Sequence, residues 1–399
     1  MKVEQIYTGC LAQGAYYIES NGEAAIIDPL REVQPYIDRA EAEGAKIKYI
    51  FETHFHADFV SGHVTLSEKT GAPIIYGPTA GPKFESIIAE DGQIFKLGND
   101  HAIFSGDTLF LGDVGRPDLA QNAASMTQED LAGMLFDSLR SKIMPLADDI
   151  LVYPAHGAGS ACGKNMMNET VDNLGNQKQM NYALRANMTR EEFIQEVTDG
   201  LLPHPAYFPL NVKLNKEGYE SIDKVLAKGD NALSPAAFEV AANEPGALVL
   251  DVRNKEDFAQ GHVPRSIFIG LDGSCAPWVG ALIKDVQHPS LLVAPQDKTE
   301  EAVMRLSRVG FDNTIGFLEG GIEAWKAAGK EVDSVTSQTV EKVSTTLSQN
   351  PETPVFDVRK ASEFAAGRVE GAQNTPLSFL NDFLASFPKD GTFFLHCKS

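Results

Sequence analysis

The sequence predicts a layered α+β unit followed by two smaller α/β units. Three observations carry this reading. Over the N-terminal half, short apolar runs that stop at Asp, His or Gly alternate with amphipathic helical text. The stretch VLDVRNKEDFAQGHV at 249–263 returns as VFDVRKASEFAAGRV at 355–369. The chain of 399 residues also exceeds what one hydrophobic core ordinarily serves.

In chain order, AAIIDPL, KIKYIFETH and APIIYG read as buried strands, while VQPYIDRAEAEG and GHVTLSEKTG read as helices ended by glycine. HAIFSGDTLFLGD and DILVYPAHG are two further strands with polar ends, where layered folds place their chemistry. From about Cys162 to Leu226 the text is helical and amide-rich, with LLPHPAYFPL as a Pro-rich turn. A second unit starts near Asn231. The repeat keeps Asp251/Asp357, Val252/Val358, Arg253/Arg359, Phe258/Phe364, Gly261/Gly367 and Val263/Val369 identical at a constant spacing of 106. A polar Ser- and Thr-rich stretch, EVDSVTSQTVEKVSTTLSQNPETP, reads as the linker between the copies. The domains expected are 1–228, 229–334 and 350–399.

Lys+Arg 34 against Asp+Glu 55 gives a formal charge of -21, which disfavours nucleic acid as a partner. The N-terminus has no basic segment leading into an apolar run, and no apolar stretch is long enough for a membrane span. Cys10, Cys162, Cys275 and Cys397 are scattered and form no C-x-x-C pair. They read as thiols of a cytoplasmic protein rather than a disulfide framework.

The densest chemistry is ETHFHADFVSG at 52–62. A strand followed by His54, His56 and Asp58 at i, i+2, i+4 brings alternate side chains toward one point, as metal sites require. The competing reading is a polar loop with a helix-capping Asp. Asp107 in SGDTLF and His156 in YPAHG share the strand-then-turn setting. Each alone reads equally well as a turn residue.

Together, THFHAD, SGDTLF and YPAH stand in the order of the metallo-β-lactamase superfamily and resemble it over roughly 1–228. That resemblance implies an αββα sandwich with the metal at one edge of its two sheets. It also implies a last motif position, the final His of T-H-x-H-x-D-H, where binuclear zinc hydrolases carry a second-metal histidine. Here Phe59 fills it. The sequence therefore resembles the mononuclear iron persulfide dioxygenases of this superfamily, which implies His54 and Asp107 as metal ligands and His56, Asp58 and His156 in support. Arg116 in GRPD corresponds to a basic residue near the substrate thiol carrier, or else to a surface ion pair. The family's T-P-G-H-T histidine is absent: only NDHAIFS lies between Gly98 and Gly106, and His101 would stand about 20 Å from Asp107 along an extended strand. Either a segment is missing or the metal site is disabled, and the intact flanks favour the first.

The repeats resemble rhodanese domains, in which a strand leads into a Cys-initiated anion-binding loop. In the first copy Pro295 falls where the cysteine is expected, so that copy reads as inactive, and Cys275 as a packed thiol on another loop. In the second, Cys397 takes the nucleophile position, and the sequence ends before the rest of its loop, so this domain reads as truncated. The combined expectation is oxidation of a low-molecular-weight persulfide of glutathione, coenzyme A or a similar carrier by O2 to sulfite at Fe(II). Rhodanese sulfur transfer would be coupled to it, in sulfide detoxification. The alternatives are a zinc thioester hydrolase of the glyoxalase II kind and a non-catalytic sulfur carrier. No nucleic acid or membrane partner is expected; a homo-oligomer is left open.

Overall fold

The computed structural model describes residues 1–97, 102–120, 126–201 and 203–397. Gly98 and His101, the start of the short connection to Gly106 and the histidine within it, lie outside the described residues. The first sheet runs β1 (Lys2–Thr8), β2 (Gln13–Ser20), β3 (Glu23–Ile27), β4 (Lys46–Phe51), β5 (Ile74–Tyr76) and β6 (Ile87–Ile88) in sequential order. Its first two pairings are antiparallel and the rest parallel. A second sheet joins β7 (Ala102–Gly106), β8 (Leu151–Pro154) and β9 (Asp172–Asn173), with β7 and β8 parallel.

Three cores stack these layers. Ala15, Tyr17, Ile26, Ile50 and Leu66 pack the first sheet against the helices Gln34–Ala42 and His63–Thr70. Tyr16, Ile18 and Ile27 meet Phe104 and Tyr153 between the sheets. Leu109, Val152, Leu174 and Phe193 pack the second sheet on Gln128–Ser138 and Arg190–Thr198. Helix, sheet, sheet, helix is the expected αββα order. The sheets are also stitched directly, by Gly14 N–H to Ala155 O at 2.8 Å and Gly157 N–H to Ala12 O at 3.0 Å.

A five-stranded all-parallel sheet follows, ordered β10 (Ala232–Leu233), β14 (Thr314–Leu318), β13 (Ser290–Val293), β11 (Leu248–Asp251), β12 (Ile267–Phe268). The second copy forms a three-stranded parallel sheet of β16 (Gln373–Asn374), β15 (Val355–Asp357) and β17 (Phe394–His396). Arg253 grips Asp251 and donates to Gly261 O at 2.8 Å; Arg359 grips Asp357 and donates to Gly367 O at 2.7 Å. The repeated residues thus tie each strand end to the same place in its own loop.

Several expectations change. Asp251 pairs with Val293 and Asp357 with His396, so Cys397 corresponds to Ala294, not to Pro295. The first copy still has no thiol there. Cys275 is buried as expected but opens the helix Cys275–Leu282 rather than sitting in a loop. The Pro-rich turn runs into the helix Phe208–Glu217, whose first turn accepts Pro209 because that N–H has no helical partner. The polar linker contains the helix Val340–Gln349, capped by Thr339 and with no buried residue.

One core crosses the boundary between the large unit and the first repeat. Leu30, Ala57, Phe59, Phe110 and Phe208 share a cluster with Leu250, Val279, Leu306 and Phe311. Arg31, wholly buried, binds both oxygens of Asp312 and donates to Ser307 O and Glu220 O. Arg308 pairs with Glu32, and its carbonyl accepts from Val60 N–H at 2.7 Å. The helix Thr299–Ser307 therefore ends directly on the loop that carries His54, His56 and Asp58.

Candidate metal centre

Every polar group of this centre leaves the C-terminal end of a strand: Asp28 after β3, 52–58 after β4, Asp107 after β7 and His156 after β8. Gly106 makes the approach close. It has φ 53, and a Cβ there would stand 2.9 Å from Thr53 Oγ1, so a side chain would push Asp107 away from His54.

Asp107 divides its carboxylate between two histidines. Its Oδ2 lies 3.6 Å from His54 Nε2 and its Oδ1 3.5 Å from His156 Nε2; His156 Nε2 is also 3.6 Å from Asp58 Oδ1. The neighbours decide which ring nitrogen bears the proton. Thr53 donates its hydroxyl to Asp28 Oδ2 at 2.7 Å, so at 2.9 Å its oxygen accepts from His54 Nδ1. Ala12 O, 3.3 Å from His156 Nδ1, can only accept. In the neutral rings, then, both Nε2 atoms present lone pairs to the Asp107 carboxylate. Asp107 Oδ1, both oxygens of Asp58 and His156 Nε2 are buried with no hydrogen-bond partner. Lone pairs facing carboxylate oxygens with nothing between them are costly, and a cation removes the cost. The donor set fits a metal ion: His54, Asp107 and His156, with Asp58 adjoining. His56, Asp58 and His156 have donor atoms within 4.8 Å of one another, and so do Asp107, His156 and Cys162.

Behind the centre lies a buried polar chain. His56 Nε2 is 3.2 Å from Asp28 Oδ1 and 3.4 Å from Glu52 Oε2, and His63 Nδ1 is 3.2 Å from Glu52 Oε1. Burial opposes a charge on His56, but Asp28 and Glu52 outweigh it and hold its pKa well above the usual value. Burial would raise Glu52, yet His63 and His56 pull it down to about 2. Burial and the charge of His56 together press His54 down to about 3, so it is a neutral donor at neutral pH. Burial raises the Asp107 carboxyl despite His156. His54 and Asp107 are half-buried while His56, Asp58 and His156 are covered, so the centre opens on the His54–Asp107 side.

Phe59 is wholly buried and lies against His56, ring centres 4.3 Å apart. It offers no donor beside Asp58. Arg116 is largely spoken for: it binds both oxygens of Asp118 at 2.7 Å and reaches Ala161 O, while its N–H donates to Cys162 O. Cys397 lies far along the chain, exposed just past β17, beside His396, whose Nδ1 is 3.2 Å from Asp357 Oδ2. Asp28, Glu52, Thr53, His63 and Cys162 were not singled out by sequence reasoning. Asp28 had a signal, since it ends AAIIDPL as His54 ends KIKYIFETH.

Two known protein families match separate parts of the chain. The model of the metallo-beta-lactamase superfamily fits residues 8–96, and that of the rhodanese-like domain fits 234–328. The chain thus joins a metallo-β-lactamase-like region to a rhodanese-like region. Its metallo-β-lactamase region is similar to the mitochondrial persulfide dioxygenase ETHE1 of Homo sapiens, 28% identical over 217 residues, 48% of this chain and 78% of that protein. It is also similar to the hydroxyacylglutathione hydrolase GloC of Haemophilus influenzae, 26% identical over 209 residues, 41% of this chain and 94% of that protein. Across both domains it is similar to a solved metallo-beta-lactamase from Staphylococcus aureus subsp. aureus COL. That likeness has TM-score 0.69 and 27% identity, covering 80% of this chain and 99% of the other. Among the described residues, no helix is long and apolar enough to cross a membrane.

Proposed function

We propose that the metallo-β-lactamase domain oxidises a low-molecular-weight thiol persulfide with O2 to sulfite at a single iron, and that Cys397 handles sulfur by transfer. The balanced reaction is RSSH + O2 + H2O → RSH + SO3²⁻ + 2H⁺. The observation that carries the reading is Phe59, a buried ring where a second metal would need nitrogen. The likeness to a persulfide dioxygenase and the fused rhodanese-like domain support the same chemistry.

In this reading His54, Asp107 and His156 would hold the metal, with Asp58 adjoining and His56 behind. Iron, when bound with open positions, supplies a centre able to engage O2 and a sulfur anion together. The protein's part is positional. Thr53 and Ala12 O keep the Nε2 lone pairs of His54 and His156 free. Asp58, with both oxygens unpartnered, is the group placed to take a proton from an arriving persulfide. The half-buried His54–Asp107 face admits the carrier, glutathione, coenzyme A or a similar thiol. Arg116 adjoins that carrier only through the Cys162 loop it braces. Cys397, exposed after a strand, is the sulfur-accepting thiol of the second repeat.

Thioester hydrolysis is the second reading, favoured by the likeness to hydroxyacylglutathione hydrolase. Anaerobically purified protein separates the two. Iron reconstitution that yields persulfide-dependent sulfite supports the dioxygenase. Stoichiometric zinc with thioester turnover and no sulfite contradicts it.

A further inference from the structure

Besides His54 and Asp58, the Asp107 and His156 donors of this centre meet one further metal-competent side chain, the thiol of Cys162. We propose that Cys162 supplies a donor, binding the metal as a thiolate beside Asp107 and His156; this rests on the reading that the centre holds a metal. Its sulfur lies with an Asp107 oxygen and a His156 nitrogen in a group whose atoms are all within 4.8 Å of one another. On two of those residues a donor atom, Asp107 Oδ1 and His156 Nε2, is buried and without a hydrogen-bond partner. Cys162 is itself buried, 1% exposed.

The loop presenting the thiol is held from several sides. Ser160 Oγ accepts from Cys162 N–H at 3.1 Å, and Cys162 O accepts from Arg116 N–H at 3.0 Å. Just beyond, Asp113 Oδ2 accepts from Lys164 and Asn165 N–H, both at 2.6 Å. Arg116 and Asp113 thus act as struts for the sulfur. Binding forms a metal–sulfur bond and releases the thiol proton to solvent, as is usual for coordinating cysteines. The competing arrangement is a neutral thiol whose S–H donates to Asp107.

Cobalt(II) titration of the full-length apo chain tells them apart. The expected spectrum has visible d–d bands together with an intense thiolate-to-cobalt charge-transfer band in the near ultraviolet. Cys162→Ser should lose that band and weaken cobalt binding about tenfold or more. Cys10→Ser, Cys275→Ser and Cys397→Ser should keep it. Visible bands without charge transfer, or a band that survives Cys162→Ser, overturn the proposal and leave the metal centre standing. Absence of any cobalt bands overturns the metal centre as well. Should Cys162→Ser not fold, X-ray absorption of the zinc-loaded wild type decides. A sulfur neighbour at about 2.3 Å supports the proposal, and a shell of nitrogen and oxygen alone overturns it.

Discussion

The ring of Phe59 lies 4.3 Å from that of His56, tilted by 34°. Phe59 both closes the side of the centre next to Asp58 and anchors the core shared with the rhodanese-like domain. In the proposed account one residue both limits the metal count and couples two domains.

Phe59→His tests the first role. An imidazole beside Asp58 should raise zinc content from one toward two per chain, measured by plasma emission spectrometry. The same change should destabilise the fold by about 3 kcal/mol, because a large buried ring is lost. Unchanged metal content in a folded variant would contradict the account.

The second role predicts cooperative unfolding. Asp312→Asn leaves Arg31 buried without its carboxylate and should cost about 3 kcal/mol in urea titration. Disrupting the exposed Lys69–Asp223 pair should cost no more than about 1 kcal/mol. Tryptophan fluorescence, which reports the rhodanese-like domain through Trp278 and Trp325, should change in one transition with metal release.

Strand ends bearing Asp and His were legible in sequence because β-rich runs and their polar stops are local patterns. Phe59 was legible because a motif position has one occupant. The pairing of His56 with Asp28 and Glu52 was not, because it depends on β3 and β4 lying side by side. Nor was the position of Ala294: counting along a loop cannot fix register, whereas the strand pairings of Asp251 and Asp357 do. The Arg31–Asp312 pair joins residues far apart in sequence, and nothing local announces it.

Sulfur transfer should be separable from oxidation. Cys397→Ser should abolish thiosulfate formation from sulfite and persulfide while leaving persulfide-dependent oxygen uptake within about twofold. Ion chromatography and an oxygen electrode measure the two. Equal loss of both would show that the reactions are not divided between domains.

The second repeat should carry an acid-sensitive share of stability. The hydrogen bond from Arg359 holds Asp357 down to about 2, from an ordinary 3.8. Because the folded value is the lower one, the stabilisation is present above about pH 4 and is lost as the pH falls through about 2. The gap in melting temperature between wild type and Asp357→Asn should therefore narrow as the pH drops from 6 toward 3. A constant gap would contradict this assignment.

Oxygen uptake by the anaerobically purified, iron-reconstituted full chain tests the central claim most directly. On addition of glutathione persulfide, the account predicts one O2 consumed per sulfite formed, with activity proportional to iron up to one per chain. No uptake in an iron-loaded sample, alongside thioester hydrolysis by the zinc-loaded one, would contradict it.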